Sequence, residues 1–126
     1  MPSSSHGHGR TLLPVRQALE QACGAGFNSV LLNRYRNGQD SMGWHSDDEP
    51  ELGPNPVIAS LSLGAARRFV LRRRDAHAHK VDYHLGHGDL LVMAGQTQRV
   101  YQHALPKMAR VQGERINLTF RCIVAR

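Results

Sequence analysis

His45 and Asp47 stand two residues apart in the stretch MGWHSDDE, with Asp48 and Glu49 following directly. On an extended segment, residues two apart point the same way, so an imidazole and a carboxylate converge. Three adjacent acids repel one another. A chain with a formal net charge of +6 gathers them beside a tryptophan and a histidine either as a solvated loop or around a cation. Far downstream, His103 sits in the strand-like run VYQHAL. His45, Asp47 and His103 together make two imidazoles and one carboxylate, the facial triad that keeps positions open on non-haem Fe(II). An H-x-D pair alone says little. Joined to a strand histidine and an arginine-bearing last strand, it points to a metal centre.

That last strand is RINLTFRCIV. Its even positions carry Ile116, Leu118, Phe120, Cys122 and Val124, and its odd positions carry Arg115, Asn117, Thr119 and Arg121. A period of two puts each set on its own face. The polar face either meets water or lines a lumen. Asn33 and Tyr35 form a similar pair in LLNRY. A lumen holding two guanidiniums, two amides, a threonine and a tyrosine suits a small dicarboxylate, because the guanidinium fork matches a carboxylate.

Other histidines compete for the metal. His6 and His8 lie in the polar start, and His77 and His79 lie in RDAHAHK, where solvation is the simpler reading. His84, His87 and Asp89 in HLGHGD imitate a ligand set, but Gly86 and Gly88 mark a tight turn into DLLVM, which favours a structural role.

These residues must be positioned by one domain, since 126 residues supply one core. Residues 1–10, MPSSSHGHGR, read as a disordered tail, and residues 11–126 as a single domain. No apolar run approaches the ~20 residues of a membrane span, so no membrane partner is expected. Cys23 and Cys122 sit in apolar company and read as reduced core thiols of a cytoplasmic protein. Sixteen Lys and Arg against ten acids suit a polyanionic partner. The clusters Arg67-Arg68 and Arg72-Arg73-Arg74 are read as phosphate contacts, against the alternative of a charged strand edge that resists aggregation.

Apolar spacing over 12–23, with Pro14 early and Gly24 and Gly26 after it, predicts one N-terminal helix. Beyond it the chain breaks into short strands at 28–35, 57–63, 68–74, 81–85, 89–94, 100–105 and 116–124, separated by RNGQDS, DEPELGPNP and LGHGD. One helix followed by seven or eight strands predicts a mainly β fold, an antiparallel sandwich or a jelly-roll barrel.

The stretches NRYRNGQDSMGWHSDDEPELGPNPVIASLSLG, HGDLLVM, QHALPK and RINLTFR resemble the AlkB family of Fe(II)/2-oxoglutarate-dependent nucleic-acid dealkylases, from about Gly26 to Val124. The wording WHSDDEP is closer to the AlkB homologues that prefer single strands than to the founding bacterial enzyme. The resemblance implies a double-stranded β-helix with iron on His45, Asp47 and His103. It implies 2-oxoglutarate held by Asn33, Tyr35, Arg115, Asn117 and Arg121, with Arg115 on the distal carboxylate and Arg121 near the chelating end. Asp48 would touch a flipped base, and one of Arg72, Arg73 and Arg74 would steady it. Trp44 either packs or stacks on a base. The implied reaction consumes O2 and 2-oxoglutarate, releases succinate and CO2, and frees an N-alkyl carbon as formaldehyde from alkylated single-stranded DNA or RNA. The protein is expected to act as a monomer.

Family members carry a segment before the first barrel strand that folds over the base. Only 27 residues precede Asn28, so that lid is expected to be missing here. Two other readings stay open. One is a catalytically weak jelly-roll module that binds nucleic acid. The other is an Fe(II)/2-oxoglutarate hydroxylase acting on a protein or small molecule.

Overall fold

Period-two alternation dominates the chain after residue 28, and antiparallel strands are the outcome. The computed structural model describes residues 3–7 and 12–124, with side chains from residue 12 onward. Nine strands form among them: β1 (Ser3–Gly7), β2 (Ser29–Tyr35), β3 (Met42–His45), β4 (Ile58–Gly64), β5 (Arg67–Arg73), β6 (Lys80–Leu85), β7 (Leu90–Met93), β8 (Tyr101–Leu105) and β9 (Arg115–Arg121). Helix α1 covers Leu13–Cys23, and a single helical turn, α2, covers Thr97–Val100. The strands lie in two facing sheets, ordered β1-β2-β9-β4-β7 and β3-β8-β5-β6, and every pairing is antiparallel. This is the jelly-roll that the strand spacing and the family resemblance led us to expect.

Helix α1 starts with Pro14 in its first turn and ends at Gly24, whose φ of 65° lets its N–H reach the Glu20 carbonyl, a left-handed stop that glycine enters without strain. Its apolar stripe packs on the outer face of the first sheet, where Leu19 meets Phe27, Val30, Ala59, Leu118 and Phe120. A second apolar layer lies between the sheets and includes Tyr35, Ile58, Phe69, Leu71, Met93 and Leu105. The first sheet is therefore covered on both faces. This decides the orientation of β9, whose apolar face turns outward under the helix and whose polar face turns into the sandwich. Arg115, Asn117, Thr119 and Arg121 are all buried, so the water-facing alternative for that face does not hold.

Four expectations change. The composition of residues 1–10 suggests a disordered tail, yet Ser3–Gly7 forms the edge strand β1, with Ser4 opposite Asn33; a ladder needs backbone groups only, so polar composition does not preclude it. Strand β9 ends at Arg121, not 124, because Ile123 N–H turns to the Asn28 side chain and Val124 N–H to the Glu51 carbonyl. Both cysteines are free, but Cys122 is exposed and Cys23 half-buried, so neither is a fully buried core thiol. Arg67 is buried to 1% exposure and donates to the carbonyls of Asn37, Asp40 and Pro106 at 2.8–3.1 Å. It staples the loop after β2 to the loop after β8 and is not a phosphate contact. The same junction leaves no room at Gly38, where a Cβ would fall 1.8 Å from the Met108 carbonyl oxygen.

Candidate active site

The β3–β8 ladder sets His45 directly opposite His103. Their rings meet edge to face with centroids 4.2 Å apart, and Phe69 stacks on His103 at 5.2 Å. His45 Nδ1 lies 2.9 Å from the Gly43 carbonyl; donating there leaves Nε2 as the free ligand atom, the usual way a ligating histidine is oriented. His103 Nε2 lies 3.7 Å from Asp47 Oδ2. One ligand atom from each of His45, Asp47 and His103 falls within 4.8 Å of the other two, the one such group among the described residues. His84, His87 and Asp89 do not join a ligand cluster. His87 Nδ1 accepts from Gly64 N–H and Asp89 accepts from Gly86 N–H, which is turn chemistry. His77 and His79 are exposed.

Electrostatics agree with a cation site. Burial, reinforced by the nearby His45, pushes the His103 imidazole down to about 3, so it is neutral and able to ligate at physiological pH. Burial also raises the Asp47 carboxyl above its ordinary range, with Glu49 and Asp48 adding to the rise and His45 and Arg121 opposing it. A carboxylate crowded in this way is relieved by a metal ion. The two imidazoles and one carboxylate fit Fe(II).

These three side chains line a cavity of about 240 Å³ between the sheets, whose wall also carries Asn33, Tyr35, Arg115, Asn117 and Thr119. Arg115 is 2% exposed. It donates to Ser62 Oγ at 3.0 Å and to Asn117 Oδ1 at 3.4 Å, and its Nε meets no acceptor. Its guanidinium lies 5.3 Å from the Tyr35 ring centre, and burial draws its pKa below the ordinary arginine value. No carboxylate among the described residues bonds to it. A buried, unneutralised cation with a spare donor is a seat for an anion. Ser60 donates to Asn117 Oδ1 at 2.6 Å, and Asn117 Nδ2 donates to Thr119 Oγ1 at 2.7 Å, which holds this wall in one arrangement. Arg121 is buried within electrostatic reach of Asp47, 3.7 Å from the Glu49 carboxylate, and its Nε also lacks an acceptor.

The substrate-side residues are less convergent. Asp48 is exposed and pairs with Arg74 at 3.1 Å. Arg73 pairs with Asp75, and Arg68 with Asp82. Arg72 lies 4.1 Å over the Trp44 ring and donates through Nε to Gln102, so Trp44 carries a guanidinium on one ring face. The basic clusters thus find acids or a ring within the chain. Sequence reasoning missed Ser60, Ser62 and Gln98. The serines left a trace in the alternation of VIASLSL. Gln98 left none.

The 2OG-Fe(II) oxygenase superfamily profile matches residues 6–121. The chain is 44% identical to alpha-ketoglutarate-dependent dioxygenase alkB homolog 3 of Homo sapiens over 131 aligned residues, covering 98% of this chain and 46% of that protein. It is 42% identical to DNA oxidative demethylase ALKBH2 of Arabidopsis thaliana over 123 residues, covering 80% of this chain and 39% of the relative. The chain thus spans less than half the length of these curated relatives. The solved structure of OsALKBH1 superposes with a TM-score of 0.64 at 21% identity, over 89% of this chain and 60% of that one, which shows a shared fold. With the profile covering nearly its whole length, and with triad and arginine facing one cavity, the chain belongs to the 2OG-Fe(II) oxygenase superfamily.

Proposed function

We propose that this chain carries the catalytic domain of an Fe(II)/2-oxoglutarate-dependent dealkylase that removes N-alkyl groups from bases of single-stranded DNA or RNA, acting as a monomer. The observation that carries the reading is one cavity lined by both a two-histidine, one-carboxylate set and an unneutralised buried arginine. The relatives named as alkB homolog 3 and DNA oxidative demethylase supply the nucleic-acid part.

His45, Asp47 and His103 would hold the metal, which with O2 and 2-oxoglutarate supplies the oxidation of an N-alkyl carbon. Arg115 binds and orients the distal carboxylate of 2-oxoglutarate, with Ser62 and Asn117 fixing its guanidinium and Tyr35 at its side. Arg121 lies within electrostatic reach of Asp47, where it partly offsets the charge of Asp47 and Glu49. Leu31, Phe69, Met93 and Leu105 give the cavity apolar walls that keep water from the reacting carbon. Asp48 and Arg74 stand at the exposed side, where a base and its phosphate would arrive.

A second reading, a hydroxylase of a substrate other than nucleic acid, draws on the internal pairing of Arg68, Arg73 and Arg74. One experiment separates the readings. Fe(II) and 2-oxoglutarate added without O2 should produce a weak visible charge-transfer band, and succinate release in air should rise when a methylated single-stranded oligonucleotide is added. A band with no stimulation by any methylated oligonucleotide would favour the hydroxylase.

A further inference from the structure

We propose that Gln98 is a positioning residue for the metal-binding carboxylate, holding Asp47 through its backbone. The inference rests on the metal-site reading above. His45 and His103 are fixed by a strand ladder. Asp47 is not, because β3 ends at His45 and residues 46–49 lie beyond it, carrying three acids in a row. Glu49 is held elsewhere, 3.7 Å from Arg121 and accepting from Leu52 N–H, but the hydrogen bonds around Ser46, Asp47 and Asp48 lead to the segment 98–101. Gln98 Oε1 accepts from Asp47 N–H at 2.9 Å. Ser46 Oγ donates to the Tyr101 carbonyl at 2.7 Å. Arg74 donates to both the Gln98 carbonyl at 2.8 Å and Asp48 Oδ2 at 3.1 Å. Asp47 and Ser46 are thus tied directly, and Asp48 through Arg74, to one short segment at the junction of α2 and β8.

Gln98 is the centre of this clamp. It is 2% exposed, and its Nε2 points to Met93 Sδ at 3.4 Å. A flipped amide would set two donors, Nε2 and the Asp47 N–H, against each other, so the side chain has one workable orientation. The repulsion among Asp47, Asp48 and Glu49 pushes the loop apart, and the clamp opposes it. Partners that orient a ligand set metal affinity as the ligands do, typically by about 10- to 100-fold.

The test is a titration of metal-stripped protein with Co(II), read by its visible absorption. Gln98→Met keeps length and burial but removes the acceptor. Gln98→Asn keeps the amide but is too short to reach. Leu19→Val, in α1 on the far side of the first sheet, serves as a control for general destabilisation. Both Gln98 variants should bind Co(II) about 10- to 100-fold more weakly with a shifted absorption envelope, while Leu19→Val keeps the wild-type affinity and envelope. Wild-type affinity in both Gln98 variants overturns the proposal, and so does equal weakening in all three variants. Wild-type protein that takes up no Co(II) overturns the metal site itself, and this inference with it.

Discussion

His45 and His103 face each other across the β3–β8 ladder with ring centroids 4.2 Å apart, so two strands fix two of the three proposed metal ligands before Asp47 joins them. Asp47 completes the set from a loop crowded with acids. Asp47→Ala should abolish metal uptake and leave the fold intact, because removing that carboxylate relieves repulsion when no cation is present. A ligand at 100 times its dissociation constant stabilises by about 2.7 kcal/mol. Thermal melting with and without Mn(II) should therefore show a clear upward shift for wild type and none for Asp47→Ala. A full shift in the variant would remove Asp47 from the site.

Arg115→Lys keeps the charge at the start of β9 but loses the fork. Each hydrogen bond to a charged group is worth about 1.5–3 kcal/mol, so 2-oxoglutarate affinity should fall about tenfold to 100-fold. Metal affinity should stay at its wild-type value, since Arg115 touches no ligand. The growth of the charge-transfer band at rising 2-oxoglutarate concentration measures the first quantity. An unchanged constant would place the distal carboxylate elsewhere.

Arg67 holds three backbone carbonyls while being almost fully buried. Arg67→Met leaves those acceptors without a partner, at about 1–3 kcal/mol for each that water cannot reach. Denaturant unfolding should show a loss of several kcal/mol, or no folded protein. Oligonucleotide binding by whatever folds should keep the wild-type salt dependence. A stable variant with a flattened salt dependence would restore Arg67 to the phosphate contacts.

Of the arginines at 72–74, Arg72 alone pairs with no acid among the described residues, while Arg73 meets Asp75 and Arg74 meets Asp48. Stacked on Trp44, its guanidinium keeps edge donors for a phosphate. On a single strand, each phosphate that a cation neutralises adds roughly 0.7 to the steepness of log affinity against log salt. Arg72→Gln should flatten the slope by about that amount, and Arg73→Gln should leave it nearly unchanged. Titrating a fluorescent single-stranded oligonucleotide at several salt concentrations decides this. Equal slopes in wild type and Arg72→Gln would make Arg72 a packing residue.

Asp40 accepts from the Arg36 side chain at two positions and from its backbone N–H, all at 2.9 Å. Those bonds hold its carboxyl well below the usual carboxylate range. A depressed folded-state pKa gives stability that is present above the unfolded value, about 3.9, and lost as pH falls through the folded one. Asp40→Asn should thus melt below wild type at pH 7, and the gap should narrow below pH 4. Melting curves at pH 7, 5, 4 and 3 test the sign. A gap that widens in acid contradicts it.

Much of the site was legible before the fold. An H-x-D pair, a strand histidine and a last strand with alternating arginines are local patterns, and a period of two states which side chains share a face. The sequence alone therefore brought out the proposed ligand set at His45, Asp47 and His103, the polar face of Arg115, Asn117, Thr119 and Arg121, and helix α1 with its proline start and glycine stop. It did not say which face of β9 was inside. That was decided by α1 packing on the apolar face, which turned the arginines inward. Nor did it separate Arg67 from Arg68. Adjacent residues of one type point to opposite sides of a strand, and only the position of the loops after β2 and β8 made the first a buried staple and the second a surface ion pair. Gln98 is the extreme case. Its hydrogen bond with Asp47 joins residues far apart in the chain, and a single glutamine has no local pattern, so only the tertiary structure brings the two together.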